Sequence, residues 1–144
     1  MIGGPVVVDA SVVVEYLVEL RLTRAATRLF AGLLDDRETE LWAPDLVYAE
    51  SASALRKLAQ RKAIEAGAAE RAIGQLVGLP ISCTGTAALM SRVWALRSTI
   101  TCYDACYVAL AERLHAPLVT ADHRLVRARI SDGPERIFLG DVEK

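Results

Sequence analysis

The chain has 144 residues, which is enough for a single domain spanning residues 1–144 with a core of several layers. Apolar residues make up 53% and charged residues 24%, a composition that excludes intrinsic disorder. The formal net charge of −1 argues against a passive coat protein for nucleic acid, which needs a strong positive field. It leaves open an enzyme that contacts a few phosphates locally.

The first half of the chain alternates short apolar strands with longer helical segments, as in an α/β protein with a mainly parallel sheet. Residues 5–8 are apolar and mostly β-branched, which predicts a central strand buried on both faces. That strand ends at Asp9, and Ser11 is the predicted N-cap of a helix that runs to Leu20. The next predicted elements are a helix over residues 23–34, a polar turn at 35–37, a strand over 41–43 and a helix over 44–62.

The second half continues the same alternation. Gly67 and Gly78 flank a predicted helix, and residues 80–83 are predicted to form an edge strand. His115, near the end of a later helix, is interpreted as its C-terminal cap. The remaining predicted elements are helices over 86–96, from 101 or 102 to about 115, and over 123–129, with strands over 117–120 and 136–139.

The pattern of apolar and cysteine residues narrows the class of protein further. No apolar run approaches the roughly 20 residues needed to cross a bilayer. The first twenty residues contain three acidic residues but no Lys or Arg, so they do not resemble a signal peptide. The three cysteines form no CxxC pair, which argues against a structural zinc site. Cys102 and Cys106 are interpreted as small buried residues in a reducing compartment, and we expect a cytoplasmic protein.

Two aspartates follow predicted strands. Asp9 comes directly after the first strand, and Asp122 follows the strand that ends at Thr120, in a segment with the same order of proline, apolar residues and aspartate. Because parallel strands run the same way, both carboxylates are expected at the carboxyl edge of the sheet, where open α/β sheets bind ligands. Taken singly, an aspartate after a strand is more often a turn or cap residue.

Two further acidic residues share a helix face with apolar side chains. Glu50 is predicted to face inward, and Asp104 repeats this arrangement in the first turn of its own helix. An inward carboxylate is costly unless a cation compensates it, although a first-turn aspartate can also serve the helix dipole. The apolar neighbours on these faces are Leu46, Val47, Ala54 and Leu58 for Glu50, and Val108 and Ala111 for Asp104.

Together the four acids predict a metal site. Clusters of carboxylate oxygens suit hard divalent cations such as Mg²⁺ or Mn²⁺. Such a cation neutralises phosphate charge and lowers the pKa of a bound water, which is the chemistry of many nucleases. We expect Asp9, Asp104 and Asp122 to hold the metal directly, and Glu50 to bind it through water or to orient the attacking water.

Three stretches that carry these acids resemble the PIN-domain family, and specifically VapC-type toxins of bacterial toxin–antitoxin pairs. They are VVVDASVVVEYL, APDLVYAESASALRK and TCYDACYVALAERLHAPLVTADHRL, and they lie between residues 6 and 125. The resemblance implies a three-layer α/β/α sandwich around a mainly parallel sheet. It places the family's acidic quartet on Asp9, Glu50, Asp104 and Asp122.

Further properties follow only from the resemblance. It implies an endoribonuclease that depends on Mg²⁺ or Mn²⁺, forms a homodimer and is inhibited by a small VapB-type antitoxin. A hydroxyl residue often lies beside the family's acids, and Ser11 and Thr120 are the candidates here, with helix cap and strand residue as equally favoured interpretations. The RNA target stays open between transfer, ribosomal and messenger RNA.

Basic residues supply candidates for RNA contact. Arg124, Arg127 and Arg129 follow Asp122 closely and are interpreted as phosphate contacts or as a solvated helix face. His123 is a candidate for substrate contact. The first two helices carry more apolar residues than one sheet face needs; most are interpreted as core and some as a groove for an antitoxin segment. An earlier basic cluster with the same two interpretations consists of Arg56, Lys57, Arg61 and Lys62.

Other classes of protein fit the sequence less well. A non-catalytic RNA-binding or interaction module with the same fold is the main alternative, but it predicts the loss of one or more acids, and all four are present. An aspartyl-phosphate phosphatase needs D-x-D at the first strand, where this chain has Asp9-Ala10-Ser11. A receiver domain needs an acidic pair near its first strand and a late lysine after a strand, and this sequence has neither. Dinucleotide binding needs a G-x-G-x-x-G motif after a strand, which this sequence also lacks.

Overall fold

A five-stranded sheet forms the centre of the protein, for which a computed structural model describes residues 3–35 and 39–142. In chain order the strands are β1 (Gly4–Val8), β2 (Thr39–Pro44), β3 (Ile81–Thr84), β4 (Leu118–Thr120) and β5 (Arg136–Phe138). Across the sheet their order is β3-β2-β1-β4-β5, and every neighbouring pair is parallel. The predicted parallel sheet is confirmed, and so is the edge position of the strand predicted over 80–83.

Seven helices connect the strands within the described residues. The predicted helix over 86–96 is divided into a short 3₁₀ turn and a separate α-helix. The long helix begins two residues later than predicted, because Pro44 still belongs to β2. Of the predicted polar turn at 35–37, Asp36 and Arg37 lie outside the described residues. The helices are α1 (Ala10–Leu17), α2 (Thr23–Asp35), α3 (Leu46–Gln60), α4 (Ala66–Leu76), α5 (Met90–Ala95), α6 (Cys102–Leu114) and α7 (His123–Arg127), with 3₁₀ turns at Ala87–Leu89 and Leu139–Asp141.

Helices cover both faces of the sheet. Val6, Val7 and Val8 are all fully buried, and successive side chains of a strand point to opposite faces. Helix α6 packs against β1 and β2, and its residues 105–111 are buried all round, as expected for a helix in the interior. The predicted three-layer α/β/α sandwich is confirmed. None of the described helices is long and apolar enough to cross a membrane.

The start of α1 differs from the prediction. Asp9, and not Ser11, is the N-cap, because the Asp9 carboxylate accepts a hydrogen bond from the backbone N–H of Val12 at 3.3 Å. The prediction of Ser11 as the cap was wrong: Ser11 lies inside the first turn, and its hydroxyl donates to Asp9 instead. A residue of the predicted acidic site therefore also begins the helix.

The end of α1 is also earlier than predicted, at Leu17 instead of Leu20. The hydroxyl of Thr23 donates to the carbonyl of Val18 at 3.0 Å and accepts from the backbone N–H of Leu20 at 2.8 Å. These two bonds stabilise a bend, so the chain turns directly into α2.

The ends of α6 are well defined. The Thr101 hydroxyl accepts from the backbone N–H of Asp104 at 3.1 Å, and His115 ends the helix in the left-handed conformation with φ 51°, which confirms the predicted cap.

Cys106 is buried as predicted, whereas Cys102 is exposed, so that part of the prediction was wrong. Residues 105–111 of α6 are buried, whereas Cys102 and Tyr103 in its first turn are exposed.

The apolar residues of α1 and α2 are largely core, as predicted. The ring of Tyr16 stacks on that of Phe30 with centroids 4.0 Å apart. The side chain of Leu33, which belongs to the same predicted set, lies outside the described part of the structure. The buried members on these two helices are Val12, Val13, Val14, Ala26, Leu29 and Phe30.

Candidate active site

The four predicted acidic residues come together at the carboxyl edge of the sheet. Asp9 directly follows β1 and Asp122 lies two residues beyond β4, and these two strands are parallel neighbours. Glu50 lies in α3 and Asp104 in the first turn of α6. The charges of Asp9, Glu50 and Asp122 each interact with that of Asp104. Asp104 is therefore the shared neighbour of the other three.

Asp9 is the most enclosed member of this group, with 6% of its surface exposed. Its carboxylate accepts hydrogen bonds from the hydroxyls of Ser11 and Thr120 and from the backbone N–H of Val12. Burial raises the pKa of Asp9 to about 6, against the opposing effect of these three donors and with a smaller contribution from the charge of Asp104. Binding of a proton or a cation is thus more favourable at Asp9 than at an exposed aspartate.

The two hydroxyl candidates, Ser11 and Thr120, link Asp9 to the segment that carries Asp122. The hydroxyl of Ser11 accepts from the backbone N–H of Ala121 at 2.9 Å, and that of Thr120 accepts from the backbone N–H of Asp122 at 3.0 Å. Each hydroxyl donates to Asp9 and accepts from this segment. The hydrogen bonds therefore fix the end of β1 relative to the end of β4.

Glu50 has a partner that the sequence analysis missed. The hydroxyl of Tyr107, on α6, donates to Oε1 of Glu50 at 2.7 Å, and Tyr107 is almost fully buried. Burial raises the pKa of Glu50, the hydroxyl of Tyr107 lowers it in part, and the charge of Asp104 raises it further. The available signal was a tyrosine in the apolar run that follows Asp104, since a buried phenol needs a polar partner.

Asp104 and Asp122 differ in how their charges are compensated. The pKa of Asp104 is raised, first by burial and then by the charge of Asp122, although the Thr101 hydroxyl lowers it in part. Burial also raises the pKa of Asp122, but hydrogen bonds from Arg124 outweigh that effect and leave the pKa lowered. The backbone N–H and Nε of Arg124 donate to Oδ1 at 2.8 and 3.3 Å, and Nη2 donates to Oδ2 at 3.2 Å.

A cavity of about 430 Å³ opens beside Asp104 and Asp122. Arg97 and Arg124 lie in its lining together with the hydroxyl residues Ser98, Thr99 and Thr101. Of the predicted RNA-contact residues, Arg124 therefore belongs to the site. The cavity has the mixed lining that an anionic substrate beside a carboxylate cluster would require.

The other candidate contact residues lie elsewhere. Arg127 and Arg129 are exposed and, in the part of the chain that is described, are not in the lining of this cavity. The His123 ring stacks on Phe138 with centroids 3.8 Å apart. The earlier basic cluster, Arg56, Lys57, Arg61 and Lys62, is exposed along the end of α3.

The sequence profile of the PIN domain matches residues 6–130. The chain belongs to the PIN-domain family. Ribonuclease VapC9 of Mycobacterium tuberculosis is 40% identical over 107 residues, which cover 69% of this chain and 84% of that protein. Ribonuclease VapC3 of the same organism is 34% identical over 123 residues, covering 85% of this chain and 86% of that protein. The resemblance to VapC-type proteins is thereby confirmed.

Solved structures agree with the fold of a PIN domain. PAE2754 from Pyrobaculum aerophilum superposes with a TM-score of 0.68 at 21% identity, covering 96% of this chain and 86% of that one. VapBC2 from Rickettsia felis, bound to a DNA fragment from their promoter, superposes with a TM-score of 0.63 at 13% identity, covering 93% and 96%. At these identities the likeness concerns the fold alone.

The PIN-domain carboxylates are near one another without forming a ready ligand set. Among residues 3–35 and 39–142, no group of three or more histidine, cysteine, aspartate or glutamate side chains is arranged to hold a metal ion. Each of the four acids instead has a protein donor: Asp9 has two hydroxyls, Glu50 has Tyr107, Asp104 has the Thr101 hydroxyl and Asp122 has Arg124. Binding of one cation by several of these oxygens would therefore require some of them to change partners, and Arg124 is the most exposed of the present donors.

The bond between Tyr107 and Glu50 makes a testable contribution to stability. Tyr107→Phe is expected to destabilise the protein by about 1–3 kcal/mol, because it leaves a half-buried carboxylate without its donor. Since Glu50 has a raised pKa, the loss should be larger at about pH 7 than at about pH 4, where protonated Glu50 needs less compensation. Urea unfolding at the two pH values measures the difference.

Tyr103→Phe is the matched control for this experiment. Tyr103 lies on the same helix but is 66% exposed, so loss of its hydroxyl should leave stability nearly unchanged. Equal unfolding midpoints for Tyr107→Phe and the wild type would show that the hydroxyl does not support Glu50.

Proposed function

We propose that this PIN-domain protein is an endoribonuclease that depends on Mg²⁺ or Mn²⁺ and is the toxin of a type II toxin–antitoxin pair in the cytoplasm. The observation that supports this best is the interaction of Asp104 with three other carboxylates beside a cavity that contains Arg97 and Arg124. The names of VapC9 and VapC3 as ribonucleases support the same reaction and substrate.

The donor chemistry fits a hard divalent cation. All four groups are carboxylates, and burial raises the pKa values of Asp9, Glu50 and Asp104, with a smaller contribution from neighbouring carboxylates, so a bound cation would stabilise their charged forms. Asp9, Asp104 and Asp122 would hold the cation. When bound, it would neutralise phosphate charge and lower the pKa of a water molecule for in-line attack on the phosphodiester, leaving a 5′-phosphate.

The protein's own residues would orient the attacking water, accept its proton and bind the substrate phosphate. Glu50, oriented by Tyr107, would hold the attacking water and accept its proton, for which a raised carboxylate pKa is suited. Ser11 and Thr120 would keep Asp9 in place. Arg124 would leave Asp122 and bind a substrate phosphate, since its side chain is 89% exposed.

The partners belong to the same proposal. A VapB-type antitoxin is supported by the VapBC2 structure, of which one chain superposes over 93% of this one. A homodimer rests on the resemblance alone, and sedimentation velocity of the purified protein tests it. Co-purification of a co-expressed VapB-type protein tests the proposed antitoxin.

The deciding experiment incubates purified protein with total RNA in the presence of Mn²⁺, Mg²⁺ or EDTA. Discrete fragments that require the metal support the proposal, and mapping their ends identifies the RNA target. Intact RNA after incubation with folded, Mn²⁺-bound protein would favour the alternative of a non-catalytic RNA-binding module.

A further inference from the structure

An aromatic stack lies at the carboxyl edge of the sheet, next to the acidic site. The rings of His123 and Phe138 have centroids 3.8 Å apart, and their planes are inclined by 15°. His123 directly follows Asp122 in the sequence. Phe138 pairs in register with Thr120, whose hydroxyl donates to Asp9. The stack therefore lies beside the strand ends that carry two of the acidic residues.

The Phe138 ring packs closely against the backbone that follows it. A Cβ atom placed on Gly140 would lie 2.6 Å from Cε2 of Phe138, so only glycine permits this approach. Phe138 is half-buried, whereas His123 is exposed. Because Phe138 covers one face of the imidazole, the exposed part of His123 consists of its edges and its other face.

The attachment of α7 to the sheet does not depend on this stack. Nη1 of Arg136, in β5, donates to the backbone carbonyls of Leu125 at 3.2 Å and Ala128 at 2.6 Å. Leu125 is also buried in the hydrophobic core. These contacts fix α7 on β5 without the imidazole, so the exposed ring of His123 is available to a ligand.

The surface around the stack suits a nucleic acid better than a protein. Arg124, Arg127 and Arg129 are exposed, and among residues 3–35 and 39–142 only Arg124 of these three has a carboxylate partner. A stable interface between proteins needs about 800 Å² from each partner. None of the large apolar side chains that are exposed in the described structure lies on α7 or β5. A planar ring among cationic side chains complements a base with its phosphates.

We propose that an unpaired base of the RNA substrate stacks on the face of His123 opposite Phe138, while the adjoining phosphate lies at the acidic site. The proposal rests on the proposed ribonuclease function and adds a base-binding subsite to it. Proteins that recognise single-stranded RNA stack its bases on aromatic or histidine rings beside cationic residues that follow the backbone. Asp122 and Arg124 line the acidic cavity, whereas His123 is outside its described lining. Phosphate and base would therefore bind on two sides of one short segment.

The test measures equilibrium binding of a short single-stranded RNA to the full-length protein, with Ca²⁺ in place of Mg²⁺. His123→Leu removes the ring and is expected to weaken binding about tenfold, whereas His123→Phe should retain most of the affinity. His115→Asn is the matched control and should bind as the wild type does. His115 is the only other histidine, it precedes β4 at the opposite edge of the sheet, and its positive φ of 51° is tolerated by asparagine.

RNA molecules that each lack one base distinguish stacking from a purely structural role of His123. Removal of the base that stacks should weaken binding to the wild type about tenfold. The same RNA should bind His123→Leu almost as well as intact RNA does, because the ring and the base contribute through one contact. A ring that only packs on Phe138 would leave the loss the same in both proteins.

Proton NMR provides a second measurement, because the sequence contains only two histidines. RNA should shift the ring resonances of His123 to high field, as the ring current of a stacked base requires, and leave those of His115 unchanged. The RNA that lacks the stacking base should not produce this shift. Thermal unfolding confirms that each variant is folded.

The possible outcomes separate this inference from the proposed function. Wild-type affinity in His123→Leu, or a loss that is independent of every base, overturns the subsite even if metal-dependent cleavage is normal. Unchanged RNA affinity with weaker binding of a VapB-type protein assigns the stack to the antitoxin and also overturns the subsite. Coupling between His123 and one base supports the subsite, and does so even if the wild type cleaves no RNA, a result that would refute only the nuclease.

Discussion

Asp9→Asn is expected to abolish metal-dependent RNA cleavage and to make the metal-free protein more stable at neutral pH. The fold raises the pKa of Asp9 from 3.8 to about 6, mainly through burial. The folded state therefore binds a proton more readily than the unfolded chain, and stability falls as the pH rises from about 4 through about 6. At higher pH the charged carboxylate lowers stability by about 3 kcal/mol, which follows from the difference between the two pKa values.

Asparagine removes this charge and keeps the local structure. It is as good an N-cap as aspartate, so α1 should still begin at Ala10. The hydroxyls of Ser11 and Thr120 can each donate to the amide oxygen or accept from the amide nitrogen. Urea unfolding at about pH 4 and about pH 7 should show the decline for the wild type and a smaller one for Asp9→Asn.

Cleavage should fall by more than about 100-fold in Asp9→Asn, because even outer-shell partners of metal ligands cost up to that amount. Asp132→Asn is the matched control: Asp132 is exposed, precedes β5 at the opposite edge of the sheet, and has a positive φ of 55° that asparagine tolerates equally well. Wild-type cleavage by Asp9→Asn would refute its place in the site. An unchanged pH dependence of stability would refute the raised pKa.

Addition of Mn²⁺ is expected to raise the melting temperature of the wild type, and Asp104→Asn should lose this response. At a concentration 100-fold above the dissociation constant, a single bound cation stabilises the folded state by about 2.7 kcal/mol, or about 10 °C for a chain of this length. Asp104 is the decisive position because its charge interacts with Asp9, Glu50 and Asp122. Its removal would take away a proposed ligand and also the charge that repels the other three carboxylates.

The metal-free Asp104→Asn protein should for the same reason be more stable than the wild type at neutral pH. Binding of Mn²⁺ to the wild type should tighten as the pH rises through about 6, because Asp9 must lose its proton before it can act as a ligand. Differential scanning fluorimetry over a Mn²⁺ titration at several pH values measures both effects.

Glu112→Gln provides a control on the same helix. Glu112 forms a 2.8 Å ion pair with Arg92 near the other end of α6, so the substitution lowers basal stability but should preserve the Mn²⁺ response. A full response in Asp104→Asn would place the cation elsewhere. A flat titration of the wild type would exclude a metal site at these carboxylates.

Local sequence was sufficient for the layout of the fold. Uninterrupted apolar runs such as Val6 to Val8 predicted a sheet covered on both faces, and glycine, proline and cap residues located most helix boundaries within a few residues. The positions of the four acids were also predictable, because a strand end and a helix face are local properties. A parallel sheet then brings strand ends from distant parts of the chain to one edge.

The partners of each carboxylate were decided by the tertiary structure. Tyr107 reaches Glu50 across 57 positions in sequence, and Thr120 reaches Asp9 across 111. Ser11 was mistaken for a cap because serine and aspartate are both preferred N-cap residues, and here Asp9 occupies that position. Hydrogen bonds between distant elements depend on how helices pack on the sheet, and periodicity carries no information about that packing.

The sequence by itself determined the α/β layout, the mainly parallel direction of the strands and the placement of acidic residues at strand ends and on inward helix faces. These features depend on side-chain period and on residue type, which can be read along the chain. Only the tertiary structure decided that Asp104 is the shared neighbour, that Arg124 compensates Asp122 and that Arg97 lines the acidic cavity. Each of these depends on the distance between atoms from different elements, because electrostatic and hydrogen-bond energies fall steeply with separation.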